Sequence, residues 1–188
     1  MNSDALAGQL KKAGWNQFAP SEFLGVEFDA VGKAATARCN WFVLLKSIPL
    51  LDAAGLDAWS SHYAHFAKRA PATMFRSGKY FILLLLVDAL SVEAAARLSK
   101  GPLPGFLEDP DKITGGGGYT IVILQDRKQV LMPRQVVLWD KVRAAEFVKR
   151  THQAVMGFMT AMLPRDSTQP ALLASGFGQV LSWDLERR

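Results

Sequence analysis

Two carboxylates on one expected strand have the best spacing for chemistry. Glu27 and Asp29 lie in the segment Phe23–Val31, where apolar and polar residues alternate. A strand places alternate side chains on one face, so we expect both carboxylates on the face opposite the core. Such a pair can hold a divalent cation, Mg²⁺ or Mn²⁺, between its oxygens. A solvated strand face, which needs no cofactor, is the other interpretation.

A third acidic residue, Asp88, directly follows the strongly apolar run Tyr80–Val87. Ligands of α/β proteins collect at the carboxyl ends of central strands, so Asp88 is a candidate ligand-binding residue. A turn or cap aspartate is the alternative. The glycines 115–118 come later in the chain, but phosphate-cradling glycines lead from a strand into a helix. Here they precede an expected strand, which favours a flexible loop.

Common catalytic patterns are missing from the sequence. It contains no Gly-x-Ser-x-Gly, no His-Glu-x-x-His and no phosphate loop ending in Gly-Lys-Ser/Thr,. His152 lies between Val148 and Val155 on the core side of an expected helix, which is typical of a hydrogen-bonded boundary histidine. The single cysteine, Cys39, excludes an intramolecular disulfide and fits the reducing cytoplasm. We therefore expect no enzyme, no metal and a cytoplasmic location.

The formal net charge of +5 allows nucleic acid, an anionic membrane surface or an acidic protein as partner,. We expect a protein partner first, with nucleic acid as a further candidate and no membrane. The basic residues form scattered pairs rather than one run, which is typical of a solvated surface. Among these pairs are Lys11-Lys12, Lys68-Arg69, Lys149-Arg150 and Arg187-Arg188. The longest apolar run, Tyr80–Val87, is far shorter than the ~20 residues of a membrane span.

The pattern of elements predicts an α/β (mixed α+β) fold, a single three-layer domain over residues 1–188. Its mixed, partly antiparallel sheet is flanked by helices, because the Tyr80–Val87 run needs cover on both faces. Within the domain we expect a flexible Pro/Gly loop over 101–118 and a less regular tail over 164–188. The expected helices are 4–13, 52–69, 92–99 and 141–163, and the expected strands are 23–31, 34–46, 80–87, 119–125 and 129–132. The segment 34–46 is either one long strand with a bulge near Asn40 or two strands that meet there. We further expect a turn at Gly32-Lys33, a break at Pro49, and short strands at 136–139 and 180–185.

The order helix, three strands, helix, strand over residues 4–88 resembles the core of the restriction-endonuclease-like nucleases. That family carries an acid on one core strand and Glu-x-Lys on the next. The resemblance implies that Glu27 or Asp29 is the first acid and that Lys46 stabilises charge on the phosphate, beside a metal that activates water. Leu44 stands two residues before Lys46, where the family has its second acid.

Three hypotheses about function follow. The first is a non-catalytic interaction module of a larger bacterial assembly that also contacts nucleic acid; abundant alanine and arginine suggest the bacterial source. The second is a divergent metal-dependent nuclease that uses Glu27, Asp29 and Lys46. The third is a small-ligand-binding domain with its site near Asp88.

Overall fold

The computed structural model describes residues 3–35, 39–69, 78–99, 116–126, 129–131 and 141–162. This part of the chain contains four helices and six strands. The helices are α1 Ser3–Lys12, α2 Ala53–Arg69, α3 Val92–Ser99 and α4 Lys141–Met162. The strands are β1 Asn16–Phe23, β2 Val26–Ala35, β3 Cys39–Leu51, β4 Gly78–Leu90, β5 Gly116–Leu124 and β6 Gln129–Leu131.

The six strands form one sheet in which spatial order follows chain order, from β1 to β6. Hairpin-type connections make β1–β2, β2–β3 and β5–β6 antiparallel. The pairs β3–β4 and β4–β5 are parallel because α2 and α3 carry the chain back across the sheet,. The mixed α/β fold expected from the sequence is therefore confirmed.

Helices cover both faces of the sheet and divide the core into two layers. One apolar cluster lies between the sheet and α2 with α3, and it includes Phe66 and Leu98. The other lies between the sheet and α1 with α4, and it includes Leu10 and Val155. The run Tyr80–Val87 is buried along its whole length because its side chains alternate between the two layers. Its prediction as a strand covered on both faces is confirmed.

The first hairpin turns at a different place from the one that the sequence suggested. Leu24 and Gly25 both have positive φ, at 51° and 83°, and join β1 to β2 as a two-residue turn,. The expected single strand 23–31 is therefore wrong at its start, because Phe23 ends β1, Leu24 and Gly25 form the turn, and only residues 26–31 belong to β2. The expected turn at Gly32-Lys33 is also wrong, because both residues lie inside β2 and pair with β3.

A bulge in β2 changes which face its residues occupy. Ala19 pairs with Val31 and Ser21 with Phe28, so Pro20 alone faces both Asp29 and Ala30. The extra residue switches the alternation, because Phe28 belongs to the α2–α3 core whereas Ala30 belongs to the α1–α4 core,. Simple period-two reasoning had placed them on one face. Proline fits opposite a bulge on an edge strand, because it has no N–H to pair.

Pro49 does not end its strand as expected, since β3 continues to Leu51. The backbone N–H of Ser47 points away from β4, toward Asp29 of β2. Backbone groups two residues apart point the same way, so the Pro49 nitrogen also faces away from β4. No hydrogen bond to β4 is lost there, and the parallel pairing continues through Leu50 and Leu51.

The glycine-rich segment is partly strand. Glycines 116–118 belong to β5 and pair with residues 79–81 of β4, so the expected loop over 101–118 is wrong at its end. Residues 101–115, the expected strands 136–139 and 180–185, and the tail 164–188 lie outside the described residues. Within the described ranges, no helix has the length and apolar character needed to cross a membrane.

Candidate functional site

Asp29 sits where β2 and β3 separate. The backbone pairing of the two strands ends at Ala30 with Leu45. One residue further, the Asp29 Oδ2 atom accepts a hydrogen bond of 2.8 Å from the backbone N–H of Ser47. The carboxylate thus replaces the backbone acceptor that the bulged strand no longer supplies. One of its oxygens is therefore engaged in holding the sheet together.

Glu27 and Lys46 lie on opposite faces of the sheet. Phe28 and Leu44 both point into the α2–α3 core. Lys46 is two residues from Leu44 and shares its face, whereas Glu27 is adjacent to Phe28 and takes the other face. Glu27 is exposed and Lys46 is half-buried. Within the described part of the chain, no three His, Cys, Asp or Glu side chains are grouped so that they could hold a metal ion.

Asp88 lies within β4, beyond the stretch that pairs with β5, and its side chain is exposed. Its Oδ1 atom accepts a hydrogen bond from Nε2 of Gln125, the residue that follows β5. The backbone N–H of Gln125 in turn donates to the carbonyl of Val87. Asp88 therefore lies at the carboxyl edge of the parallel strands, as expected, and it ties the ends of β4 and β5 together.

A different group of residues, the cations of α1 and α4, is brought together by the fold. A Cβ at Gly14 would lie 2.8 Å from Nη1 of Arg150, and one at Gly157 would lie 3.8 Å from Oε1 of Gln9. The two helices therefore run antiparallel, and the end of α1 lies beside the middle of α4. The carbonyl of Lys11 accepts the N–H of Gly14, so the Lys11-Lys12 pair lies within one turn of the point where Arg150 meets the end of α1.

A buried hydrogen-bond chain fixes this helix pair. The indole Nε1 of Trp15 donates to Oγ1 of Thr151 at 3.0 Å, and this hydroxyl donates to the carbonyl of Phe147 at 2.8 Å. The Phe147 ring lies 5.3 Å from Trp15 and 5.4 Å from Trp41, centre to centre. Gly14, at φ 92°, makes the turn that delivers Trp15 into this cluster,. The basic residues therefore stand on a rigid support.

The two helical layers differ in charge. Helices α1 and α4 contain six cationic and two acidic residues, a formal charge of +4 out of the +5 of the whole chain. Helices α2 and α3 contain three cationic and two acidic residues, a formal charge of +1. Lys11, Lys12 and Lys149 are exposed. We call the surface that they form with Arg150 the α1–α4 basic face.

The sequence alone did not reveal this face. The pairs Lys11-Lys12 and Lys149-Arg150 are more than 130 residues apart in the sequence, and each is typical of a solvated surface,. The only available signal was that each pair occurs in an amphipathic helix, and which helices share a face of the sheet depends on the topology. His152 on α4 adds no charge at neutral pH, because burial lowers its pKa to about 4,.

In comparisons with protein-family models, with curated proteins and with solved structures, nothing matches this chain.

Proposed function

We propose that this chain is a non-catalytic interaction module of a larger assembly that contacts nucleic acid through its α1–α4 basic face. The observation that carries the proposal is the gathering of two distant basic pairs, Lys11-Lys12 and Lys149-Arg150, on one side of the sheet. A phosphate backbone presents closely spaced negative charges, and binding it releases condensed counterions. Several lysines on one surface are suited to that partner, because each contacts phosphate as a point charge.

The buried contacts that hold α1 and α4 together favour a binding role over a catalytic one. Hydrogen bonds among Trp15, Thr151 and Phe147 hold α4 against the end of α1, so the backbone that carries the cations is in place before a partner binds. Such preorganisation lowers the entropy lost on association. The candidate carboxylates Asp29 and Asp88, by contrast, are engaged with Ser47 and Gln125, respectively.

A metal-dependent nuclease is the second candidate. The hydrogen bond between Asp29 and Ser47 favours it, because it brings an acid on one core strand next to Lys46 on the following strand. The opposite faces of Glu27 and Lys46 count against it, since a metal and a phosphate would have to meet all three side chains on one side.

The test is a titration of labelled single-stranded and double-stranded DNA and RNA with the full chain at low salt. We expect binding in the range of about 1–100 µM. A variant with Lys11→Glu, Lys12→Glu and Lys149→Glu should lose it. The matched control changes three exposed cations of the other face, Lys33, Lys68 and Arg69, to glutamate, and it should retain most of the affinity.

Both variants change the net charge by the same amount, and each places two glutamates at the end of a helix. A loss of affinity that only the Lys11, Lys12 and Lys149 variant shows must therefore come from the position of its charges. An equal loss of affinity in both variants would show that net charge, and not the α1–α4 basic face, determines binding. If no nucleic acid binds but an acidic protein does, through the same residues, the nucleic-acid part of the proposal is wrong.

A further inference from the structure

The exposed cations of the α1–α4 basic face are lysines. Lys11, Lys12 and Lys149 are exposed, whereas Arg150, the arginine of the face, is half-buried. A Cβ at Gly14 would lie 2.8 Å from Nη1 of Arg150, so this guanidinium packs against the backbone at the end of α1. A lysine ammonium contacts phosphate as a point charge, whereas a free arginine fork is the commonest reader of a guanine edge. The exposed side chains are therefore suited to phosphates rather than to bases.

The aromatic rings beneath the face point into the core. Trp15 and Trp41 are each 1% exposed, and Tyr80 is 4% exposed. The Phe147 ring lies within 5.4 Å of both tryptophans, and Trp41 lies 4.3 Å from Tyr80, centre to centre. The indole N–H of Trp15 is already donated to Thr151. Proteins that bind single strands stack the bases on accessible aromatic rings. These contacts hold the rings in the core, away from the bases of a bound strand.

The cations of the face come from two neighbouring helices. The Lys11-Lys12 pair ends α1, and the Lys149-Arg150 pair lies within α4, which packs beside it. Packed helices have axes about 8–10 Å apart. The grooves of a DNA duplex are about 12 and 6 Å wide, and phosphates line both sides of each groove. The separation of the two helices is therefore on the scale of a groove, and each pair can meet the phosphates of a different strand.

We propose that the α1–α4 basic face binds the phosphate backbone of double-stranded nucleic acid, in preference to single strands and without reading the base sequence. This inference rests on the proposed function, since it specifies the form of nucleic acid that the same face binds. A duplex carries one negative charge per about 1.7 Å of its axis, twice the density of either strand alone. Lysines on two helices use that density, because they meet two rows of phosphates at once.

Gln153 separates phosphate binding from base reading. It is exposed and lies one turn after Lys149 on α4. A glutamine amide can bind an adenine edge through two hydrogen bonds, so this side chain has the chemistry for direct readout. The proposal gives it no base contact. Gln153→Ala should therefore leave the affinity for every duplex unchanged.

The test measures the affinity of the full chain for labelled duplexes of about 20 base pairs, or two helical turns, and for the matching single strands. DNA and RNA are both used, at one low salt concentration. Repeated selection of the tightest binders from a pool of random duplexes then tests for sequence reading. Lys11→Gln with Lys12→Gln and Lys149→Gln is the variant of the face, and Gln153→Ala is its matched control on α4. Circular dichroism verifies that each variant folds.

A duplex should bind about tenfold more tightly than its single strand, and this preference should disappear in the lysine variant and persist in Gln153→Ala. The selection should enrich no sequence motif. Single strands that bind as tightly as duplexes, or an enriched motif, would overturn this inference and leave nucleic-acid binding by the face intact. If no nucleic acid of any form binds, the proposed function is wrong and this inference is wrong with it.

Discussion

The Oδ2 atom of Asp29 accepts a hydrogen bond of 2.8 Å from the backbone N–H of Ser47, at the residue where β2 stops pairing with β3. The side chain takes the place of a backbone carbonyl that the bulge opposite Pro20 has moved out of register. Asp29 is also one of the two carboxylates, with Glu27, that the sequence offers as candidate metal ligands. Its position gives a structural role that mutation can separate from a catalytic one.

Replacing Asp29 by alanine should lower the free energy of unfolding by about 1.5–3 kcal/mol, because the partly buried N–H of Ser47 loses a charged acceptor. Asp29→Asn keeps an acceptor oxygen and should cost clearly less. Urea unfolding of the two variants measures both effects. Equal destabilisation by alanine and asparagine would show that the hydrogen bond is not what Asp29 contributes.

We expect no metal-dependent nuclease activity. Phosphodiester hydrolysis in the resembled family needs a metal held by well-placed carboxylates. Leu44 occupies the position of one of them, and Glu27 and Lys46 point to opposite faces. Calorimetry with millimolar Mg²⁺ or Mn²⁺ should show no binding. Mn²⁺-dependent cleavage of DNA or RNA that Glu27→Gln or Asp29→Asn abolishes, with the fold intact, would make the nuclease interpretation the better one.

Leu84 tests the position of β4 in the middle of the sheet. It is fully buried in the α1–α4 core. Leu84→Ala should cost about 2–5 kcal/mol of stability, from lost transfer free energy and the cavity left behind. Chemical denaturation measures this directly. A near-neutral effect is incompatible with a strand that is covered on both faces.

The sequence predicts β4 and α2 correctly for a simple physical reason. A run of eight apolar residues can be fully buried only between two layers of structure. The apolar residues of α2 lie along one side of the helix and pack into one core layer, between α2 and the sheet; they are Leu56, Trp59, Tyr63 and Phe66,. The strand expected over 80–87 and the helix expected over 52–69 are both confirmed. The limits of α3 were predicted correctly because Ser91 is a good cap and Val92–Ser99 is amphipathic.

The errors arise where backbone pairing overrides local preference. The edge strand β1 has a polar, proline-containing sequence that is typical of a loop, so it was missed except at Phe23. Its turn places Leu24 at positive φ, which leucine rarely adopts, so Gly25 is the only turn residue in it and gives a weak signal,. Gly32 and Pro49 look like breaks but are accommodated inside strands. The α1–α4 basic face depends on topology, which no local pattern reveals.

His152 should make stability depend on pH. Burial lowers its folded-state pKa to about 4, from an ordinary value near 6.5. Between these two pH values the imidazole is protonated in the unfolded chain and neutral in the folded chain. The free energy of unfolding is therefore not reduced by His152 above about pH 6.5, and it falls as the pH drops toward 4. The loss can reach about 3 kcal/mol. His152→Gln should flatten this part of a pH series of unfolding curves, and an unchanged slope would contradict a buried neutral imidazole.

The most direct test of the central claim is the salt dependence of nucleic-acid affinity. The logarithm of the binding constant for double-stranded DNA is measured from about 50 to 200 mM salt, for the native chain and for Lys11→Gln with Lys12→Gln and Lys149→Gln. Each lost phosphate contact should reduce the magnitude of the slope by about one, so we predict a drop of up to about three for the triple variant. The same triple change at Lys33, Lys68 and Arg69 should leave the slope nearly unchanged. Equal slopes for all three proteins would contradict nucleic-acid binding on the α1–α4 basic face.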